Sequence, residues 1–334
     1  MGRHRALVSP HVTGQLGKIA ALCGPTGSGK TVLAVQLRQA GLPIEVVSCD
    51  ALQVYCRLDA GTAKPTADQR AAVPTHLVDC WEAQAAMTAG QWADLADAAI
   101  AEITARGGWP LIVGGTGLYL RALVRGLAPI PTTNQQLRDE LQAQWQQLGP
   151  EAMHAALAEI DPDYAAKTPA ANRQRVTRAL EVHAATGRSL SDWHRDHAAL
   201  ESRYACALAV LQPDRAVHTA GLQVRARAMA EPLVQEVRAL LANGLHGTEP
   251  AMQALGYRDA VQAVRDQLGS QQLAAQLVAA HTAYAKRQRT WFAAEPAVLR
   301  LDPADPDTLG RLTDTLRAWF ESDAPFVQLS DINP

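Results

Sequence analysis

Several features of membrane-bound, secreted or fibrous proteins are missing from this sequence of 334 residues. No apolar run approaches the roughly 20 residues that a membrane-spanning helix needs, and the basic N-terminal segment lacks the apolar stretch of a signal peptide. The five cysteines form no Cys-x-x-Cys pair, which argues against a disulfide framework or a zinc knuckle. Aromatic residues, at 5%, and charged residues, at 19%, fit neither a disordered chain nor a coiled coil. We therefore expect a cytoplasmic protein with no membrane contact.

Lysine is also scarce, so arginine supplies most of the positive charge. The chain has 31 basic and 33 acidic residues, a net charge of −2 that does not by itself indicate a nucleic-acid-binding protein. Residues 167–195, however, contain six basic and two acidic residues, and 6 − 2 gives +4. Arginine suits bidentate contacts with phosphate. A GC-rich genome would enrich arginine as well, and composition does not separate the two explanations.

Short apolar runs alternate with helical patterns, which predicts an α/β fold. The apolar runs that we interpret as buried strands lie at 18–23, 44–48, 111–113 and 204–211. Helical spacing of apolar residues appears at 31–40, 89–106, 214–243 and 270–293. Strands and helices in this alternation are typical of a parallel sheet with helices on its faces.

An all-helical insertion interrupts this predicted core. Residues 134–199 contain no convincing strand, only helical patterns broken at 149–150, 161–162 and 187. Residues 294–334 are punctuated by proline and aspartate, and we interpret them as a tail. The predicted organisation is a catalytic core of 18–129 and 203–320, a helical insertion domain of 130–202, and flexible termini at 1–17 and 321–334.

A phosphate-binding loop follows the first predicted strand and opens the first predicted helix. Its pattern is G-x-x-x-x-G-K-[ST], and its residues are Gly24, Pro25, Thr26, Gly27, Ser28, Gly29, Lys30 and Thr31. Backbone N–H groups of such a loop converge on phosphate oxygens, and the helix dipole adds to the attraction. Lys30 supplies a positive charge, and Thr31 supplies a hydroxyl ligand for Mg²⁺. We therefore predict a core of the P-loop type that binds a diphosphate or polyphosphate with Mg²⁺.

Asp50 is the candidate for the chemical step. An NTPase motor adds an apolar strand that ends in an acidic residue, but the run at 111–113 ends in glycines. Asp50 follows the predicted strand 44–48, at the carboxyl edge where open α/β sheets bind ligands. A carboxylate there can hold a metal or act as a general base. A turn or helix-cap aspartate is the alternative interpretation.

Seven segments, taken in order, resemble the bacterial type of the tRNA dimethylallyltransferase family. They lie at 48–55, 59–65, 74–79, 113–119, 174–182, 256–258 and 285–292. With the phosphate loop, the resemblance extends over roughly 18–293. It implies a prenyltransferase that moves the dimethylallyl group of dimethylallyl diphosphate to the exocyclic amine of the adenine 3′-adjacent to the tRNA anticodon, releasing diphosphate.

The resemblance also assigns roles to residues near the phosphate loop. Asp50 would accept a proton from the adenine amine, and Thr116 would hydrogen-bond the bridging oxygen of the diphosphate. The loop and Mg²⁺ would stabilise the charge that grows on the departing diphosphate. Arg225 would be a further diphosphate contact.

The resemblance further implies that the helical insertion domain of 130–202, together with residues of the core, binds the tRNA anticodon stem-loop. We expect the protein to be a monomer. The target base must leave its stack, and Gln53 is expected to read its edge. Lys286 and Arg287, with Arg289 and Trp291, form a basic cluster suited to phosphate contact and stacking. The implied tRNA-binding residues are Asp50, Ala51, Leu52, Gln53, Gln174, Arg175, Val176, Thr177, Arg178, Gly256, Tyr257, Arg258, Lys286, Arg287 and Gln288.

The sequence departs from the family pattern at three positions. Ala51 stands where the family usually has serine, and Gly221 and Thr282 stand where it usually has arginine. Arg215 or Arg227 could compensate for the two missing cations.

Two other functions stay open. One is a nucleoside or nucleotide kinase, or an isopentenyltransferase acting on free adenine nucleotide, and the arginine-bearing insertion argues against it. The other is an RNA-binding protein without catalytic activity, against which the intact phosphate loop, Asp50 and Thr116 argue. We expect structural roles for His76, Trp92, Trp193 and Trp319.

Overall fold

The computed structural model describes residues 16–131 and 133–322. Its contacts divide the chain into two compact units: Arg125–Ser202 forms one, and the residues on either side of that segment form the other. Almost all of the predicted flexible termini lie outside the described residues. No helix within the described ranges is long and apolar enough to cross a membrane.

The larger unit is built on a parallel sheet of six described strands in the order β3-β2-β4-β1-β5-β6. The strands are β1 Lys18–Cys23, β2 Ile44–Cys49, β3 Thr75–His76, β4 Trp109–Gly114, β5 Ala205–Leu211 and β6 Leu299–Leu301. The central strands are buried along almost their whole length because helices cover both faces of the sheet. The predicted α/β fold of the P-loop type is confirmed.

Helices flank this sheet and make up the smaller unit. They are α1 Lys30–Gln39, α2 Ala67–Ala72, α3 Ala89–Ala105, α4 Gly117–Arg125, α5 Gln135–Ile160, α6 Pro162–Ala165, α7 Arg173–Thr186, α8 Leu190–Ala198, α9 Arg215–Ala242, α10 Tyr257–Arg265, α11 Ser270–Ala294 and α12 Thr308–Glu321. Local chemistry explains several starts: Thr66 and Thr88 each form a capping box at the beginning of α2 and α3.

The two faces of the sheet carry separate apolar cores because side chains alternate along each strand. Ile19 and Ala21 of β1 face the core that α3, α4, α9, α10 and α11 complete. Ala20 and Leu22, which alternate with them along the strand, face the core formed with α1 and α12. Trp92 is fully buried in the first core, stacks on Tyr119 at 4.9 Å between ring centroids, and donates to the carbonyl of Ser48 at 3.1 Å.

The interpretation of 294–334 as a tail was wrong within the described residues. Leu299–Leu301 adds a sixth strand beside β5, and Thr308–Glu321 is a helix that buries Leu312, Leu316 and Trp319 against the sheet. The indole N–H of Trp319 donates to the carbonyl of Ile19 at 2.9 Å. Three residues are too few to show the alternation by which a strand is recognised in a sequence. This segment is a strand because it pairs with a strand about 90 residues earlier, and that pairing is not visible in the local sequence.

The smaller unit is all-helical and has its own core, which includes Met153, Leu157, Val176 and Val182. The predicted breaks are confirmed: Gly149 adopts a φ of 80° inside α5, and Gly187 ends α7 in the left-handed region. The remaining break is at Asp161, which caps α6 by accepting from the N–H of Tyr164.

A buried carboxylate organises the polar part of this unit. Glu181 of α7 accepts hydrogen bonds from Thr133 and from the Nε of Arg138, and it pairs with the Nη1 of Arg178 at 3.1 Å. Trp193 packs on the core of the unit, with Arg188 over its ring at 4.7 Å.

Candidate functional site

A cavity of about 410 Å³ opens at the carboxyl ends of β1, β2 and β4. Parallel strands end at one edge of a sheet, so the turns that follow them meet there. Residues 26–31 of the phosphate loop line this cavity, together with Asp50, Gln53 and Arg225. The structure therefore brings together the residues that the sequence placed in three separate segments.

The phosphate loop connects the end of β1 to the start of α1 through glycines with positive φ. Gly24, Gly27 and Gly29 have φ values of 151°, 75° and 85°, a region that favours glycine. A Cβ on Gly24 would lie 2.9 Å from the carbonyl oxygen of Leu211, so the neighbouring strand end also requires glycine there.

Lys30 is held across its own loop. Its Nζ donates to the carbonyls of Gly24 at 3.0 Å and Pro25 at 2.8 Å. Burial lowers the pKa of Lys30 to about 8; the nearby Cys23 and Asp50 oppose this shift, and the positive charge of Arg225 adds to it. The ammonium group is thus preorganised at the cavity and has a pKa close to neutral pH.

Asp50 and Thr116 lie beside each other at the ends of β2 and β4. The Oδ1 of Asp50 accepts from the N–H groups of Leu52 at 2.9 Å and Gln53 at 3.3 Å, a turn that orients the carboxylate. The N–H of Ala51 donates to the Oγ1 of Thr116 at 3.1 Å. Since Asp50 and Lys30 line the same cavity, the carboxylate faces the phosphate loop rather than the far side of the sheet.

Arg225 brings a second cation to the cavity from α9. Burial lowers the pKa of its guanidinium, and the charge of Asp50 opposes that shift. One turn earlier, Gly221 is exposed and has open space around it. Among the described residues that line the cavity, neither Arg215 nor Arg227 appears, and Arg227 lines a separate groove beside α11. The structure does not support compensation by these two arginines.

Gln53 enters the cavity with its amide already hydrogen-bonded. Its Oε1 accepts from the hydroxyl of Ser48 at 3.0 Å, and its Nε2 donates to the carbonyls of Thr62 and Ala63. Lys64 holds the turn that follows: its Nζ donates to the carbonyl of Tyr55 at 2.8 Å and to the carboxylates of Asp59 and Asp79. A ligand that bonds to this amide would therefore have to displace at least one of these partners.

Tyr257, expected at the tRNA, is fully buried. Its hydroxyl donates to Glu236 at 2.6 Å and accepts from the N–H of Gly61 at 3.2 Å, while the same carboxylate accepts from the N–H groups of Asp59 and Ala60. The structure thus gives Tyr257 a role in holding the turn before Lys64 instead of a surface for RNA. Gly256 is buried as well, at the start of α10 with a φ of 84°, whereas Arg258 is exposed.

The basic segment of α11 divides into outward and inward side chains. Lys286 and Arg287 are exposed, whereas Gln288 is buried. Trp291 is half-buried: a Cβ on Gly117 would collide with its indole ring, and Arg121 lies over that ring at 4.4 Å.

The residues predicted on α7 are divided in the same way. Val176 belongs to the core of the helical unit, so it does not reach a surface. Gln174 and Arg175 are exposed, and Arg175 lies over the ring of Tyr164 at 4.9 Å. Thr177 donates to the carbonyl of Arg173, within its own helix, at 2.8 Å.

Two histidines near the cavity had no motif to reveal them. His218 of α9 donates through Nε2 to the carbonyl of Thr26 at 2.8 Å. His281 of α11 is buried, its Nε2 has no hydrogen-bond partner among the described residues, and burial, reinforced by Arg225, lowers its pKa. The helical spacing that places Met229 or Leu277 in the core places these histidines there too, so no sequence signal distinguished them.

A Mg²⁺ ion fits the donors that are present. The described residues contain no cluster of three or more His, Cys, Asp or Glu that would hold a metal by itself. A phosphate loop needs no such cluster, because the Thr31 hydroxyl and the phosphate oxygens of the ligand together provide oxygen ligands. Thr31 lines the cavity, as Asp50 does.

Comparisons with known proteins match most of the chain. The family model described as IPP transferase matches residues 53–295. The chain is 45% identical over 296 residues to a tRNA dimethylallyltransferase of Anaeromyxobacter dehalogenans, covering 88% of this chain and 98% of that protein. A relative of the same name from Myxococcus xanthus is 43% identical, with 85% and 92% covered.

Solved structures give the same result. The full-length tRNA isopentenylpyrophosphate transferase of Bacillus halodurans matches with a TM-score of 0.67 and 32% identity. The match covers 91% of this chain and 97% of that one. The similarity therefore includes both the cavity and the helical unit.

Proposed function

The chain belongs to the tRNA dimethylallyltransferase family of IPP transferases, and we propose that it transfers a dimethylallyl group from dimethylallyl diphosphate to tRNA. The acceptor is the exocyclic amine of the adenine 3′-adjacent to the anticodon, and diphosphate is released. The observation that carries this proposal is that Asp50 and the phosphate loop line a single cavity. We place the reaction in the cytoplasm and propose that the enzyme acts as a monomer.

The reaction forms one carbon–nitrogen bond and breaks one carbon–oxygen bond. The adenine amine is a poor nucleophile because its lone pair is shared with the ring. As this nitrogen bonds to C1 of the dimethylallyl group, the Asp50 carboxylate takes the proton that the amine loses. The carbon–oxygen electrons leave with the diphosphate.

The other groups of the cavity stabilise the negative charge that develops on the leaving diphosphate. Loop N–H groups, Lys30 and Arg225 already lie at the cavity, so little reorganisation is needed when the bond breaks. The hydroxyl of Thr116 accepts from the N–H of Ala51 and would donate its own hydrogen to the bridging oxygen. Mg²⁺, held by Thr31 and the phosphates, would supply further positive charge.

One transfer assay tests this proposal against its alternatives. Purified protein is given labelled dimethylallyl diphosphate with either unmodified tRNA or AMP as the acceptor. We expect label in tRNA and none in AMP. Label in AMP would indicate the small-molecule isopentenyltransferase, and label in neither would leave an RNA-binding protein without this activity.

Asp50→Asn is the matched variant for the chemical step. It keeps the size of the side chain and removes the base, so we expect the rate of transfer to fall about 10²–10⁴-fold. Affinity for tRNA, measured by filter binding, should stay within about twofold of wild type, because a neutral amide still fits the turn. Full activity of this variant would contradict the assigned base.

A further inference from the structure

The backbone of Thr26, within the phosphate loop, is hydrogen-bonded on both sides by side chains of two helices that are distant in sequence. Its N–H donates to the Oε1 of Gln288 at 2.7 Å, and its carbonyl accepts from the Nε2 of His218 at 2.8 Å. Both side chains are only 5% exposed. A buried polar side chain is costly unless it is hydrogen-bonded, and the Thr26 peptide supplies a partner to each.

Gln288 also reaches the second catalytic turn. Its Nε2 donates to the carbonyl of Gly115 at 2.9 Å, one residue before Thr116. A Cβ on Gly115 would collide with this amide, so the glycine makes room for Gln288. One side chain from α11 therefore joins the phosphate loop to the turn that carries Thr116.

His218 is supported in turn from α11. Its Nδ1 accepts from the Nη1 of Arg289 at 2.8 Å, which assigns the ring hydrogen to Nε2, where it bonds to Thr26. Burial lowers the pKa of His218; the hydrogen bond to Thr26 opposes this shift, and the charges of Arg289 and Lys30 add to it. Beside it on α9, Leu222 packs against Gly27, so this helix contacts the loop at two consecutive residues.

We propose that Gln288 and His218 are positioning residues that fix the Thr26 peptide and tie the phosphate loop to the Gly115–Thr116 turn. The inference rests on the proposed function and deepens it: diphosphate binding depends on α9 and α11. The N–H of Thr26 is used by Gln288, so the donors to the diphosphate come from the residues after it. The resemblance implies tRNA contact for Gln288; the structure assigns it to the diphosphate site.

The test compares variants of the full-length protein in three measurements. Affinity for inorganic diphosphate with Mg²⁺ is measured by calorimetry, affinity for tRNA by filter binding, and kcat and KM by transfer of label. Gln288→Met removes both amide hydrogen bonds and leaves the loop N–H without its buried partner. We expect diphosphate to bind about tenfold more weakly, and tRNA affinity to stay within about twofold of wild type.

His218 provides a second, independent pair of variants. His218→Leu should weaken diphosphate binding by about the same factor, whereas His218→Gln keeps an N–H donor and should regain most of the lost affinity. Gln276→Met is the matched control for Gln288→Met, because Gln276 is exposed on α11, the helix that carries Gln288. Its affinities for diphosphate and tRNA should equal those of wild type. Should Gln288→Met fail to fold by circular dichroism, the His218 pair decides the question.

The outcomes separate this inference from the proposed function. A Gln288→Met variant that loses tRNA affinity and keeps diphosphate affinity would make Gln288 an RNA contact and overturn the inference. The inference would also be overturned if Gln288→Met and His218→Leu both bound diphosphate as wild type does. That result would leave the proposed transfer activity of the wild-type protein untouched. If wild type binds diphosphate but transfers no label to tRNA, the proposed function fails, and the binding data still decide whether Gln288 and His218 position the phosphate loop.

Discussion

Lys30 shows how one side chain joins loop structure to ligand binding. Its ammonium group donates to the carbonyls of Gly24 and Pro25, which fixes the first part of the loop beside the cavity. The cost of burial lowers its pKa to about 8. A bound diphosphate would raise the pKa of Lys30 again, because a nearby negative charge favours the protonated lysine.

Diphosphate affinity should therefore depend on the charge of Lys30. The group is protonated below its pKa of about 8 and loses its proton as the pH rises through that value. We expect wild type to bind diphosphate more tightly than Lys30→Met at pH 7, and the ratio of the two affinities to shrink as the pH rises above about 8. Calorimetry of both proteins from pH 6.5 to 9.5 measures it. Because titration of the ligand affects both proteins alike, a constant ratio would contradict the prediction.

At the scale of elements, a partly buried ion pair holds the edge strand β3 to the sheet. Glu45 on β2 accepts from Arg106, at the end of α3, through Nε at 2.7 Å and Nη2 at 2.6 Å. It also bonds His76 of β3 at 2.8 Å. Hydrogen bonds from Arg106, opposed by burial and helped by His76, lower the pKa of Glu45 to about 2. A strand of two residues has few ladder hydrogen bonds, so this cluster contributes to its position. His76 is structural here, as the sequence predicted.

Glu45→Gln should show this contribution as a change in acid stability. Because the pKa of Glu45 is depressed in the folded protein, its stabilisation is complete above about pH 4.5 and is lost as the pH falls toward 2. We expect the variant to lose about 1–3 kcal/mol at pH 7. Its unfolding free energy, from urea titration, should also vary less than that of wild type between pH 5 and 3. Equal stability of the two proteins at both ends of this range would refute the role.

At the scale of the whole molecule, charge is distributed unevenly. Residues 167–195 hold six basic and two acidic residues, 6 − 2 = +4, whereas 295–334 hold three arginines and eight acidic residues, 3 − 8 = −5. The positive segment contains α7, where Arg178 pairs with the buried Glu181. Because Arg138 also contacts Glu181, that carboxylate keeps a partner when Arg178 is replaced.

Arg178→Gln should weaken tRNA binding mainly through lost electrostatic attraction. If Arg178 contacts a phosphate, the slope of log affinity against log salt becomes shallower by roughly 0.7–0.9, the release of one counterion. Filter binding between 50 and 300 mM salt measures the slope. Arg311→Gln, an exposed position of α12, is the control and should leave the slope unchanged. Matching slopes for wild type and Arg178→Gln would remove Arg178 from the RNA surface.

The parts of the site that the sequence revealed are those with local signatures. Gly24, Gly29 and Lys30 are recognisable because their spacing reflects a single turn of backbone. Asp50 was found because it ends an apolar strand, and strand ends of a parallel sheet share an edge. The short strand β6 and the helix α12 were missed because their stability comes from packing on the sheet, which the local pattern does not display.

The sequence by itself indicated the alternation of strands and helices, the phosphate loop and the order of the family motifs, since each is visible as a pattern within a short stretch of chain. Only the tertiary structure decided which side chains turn inward. Gln288 and Tyr257 lie in motifs that suggested RNA contact, yet Gln288 bonds Thr26 at a separation of 262 residues and Tyr257 bonds Gly61 at 196. Both are buried because distant backbone groups need their hydrogen bonds, and no local pattern records such a partner.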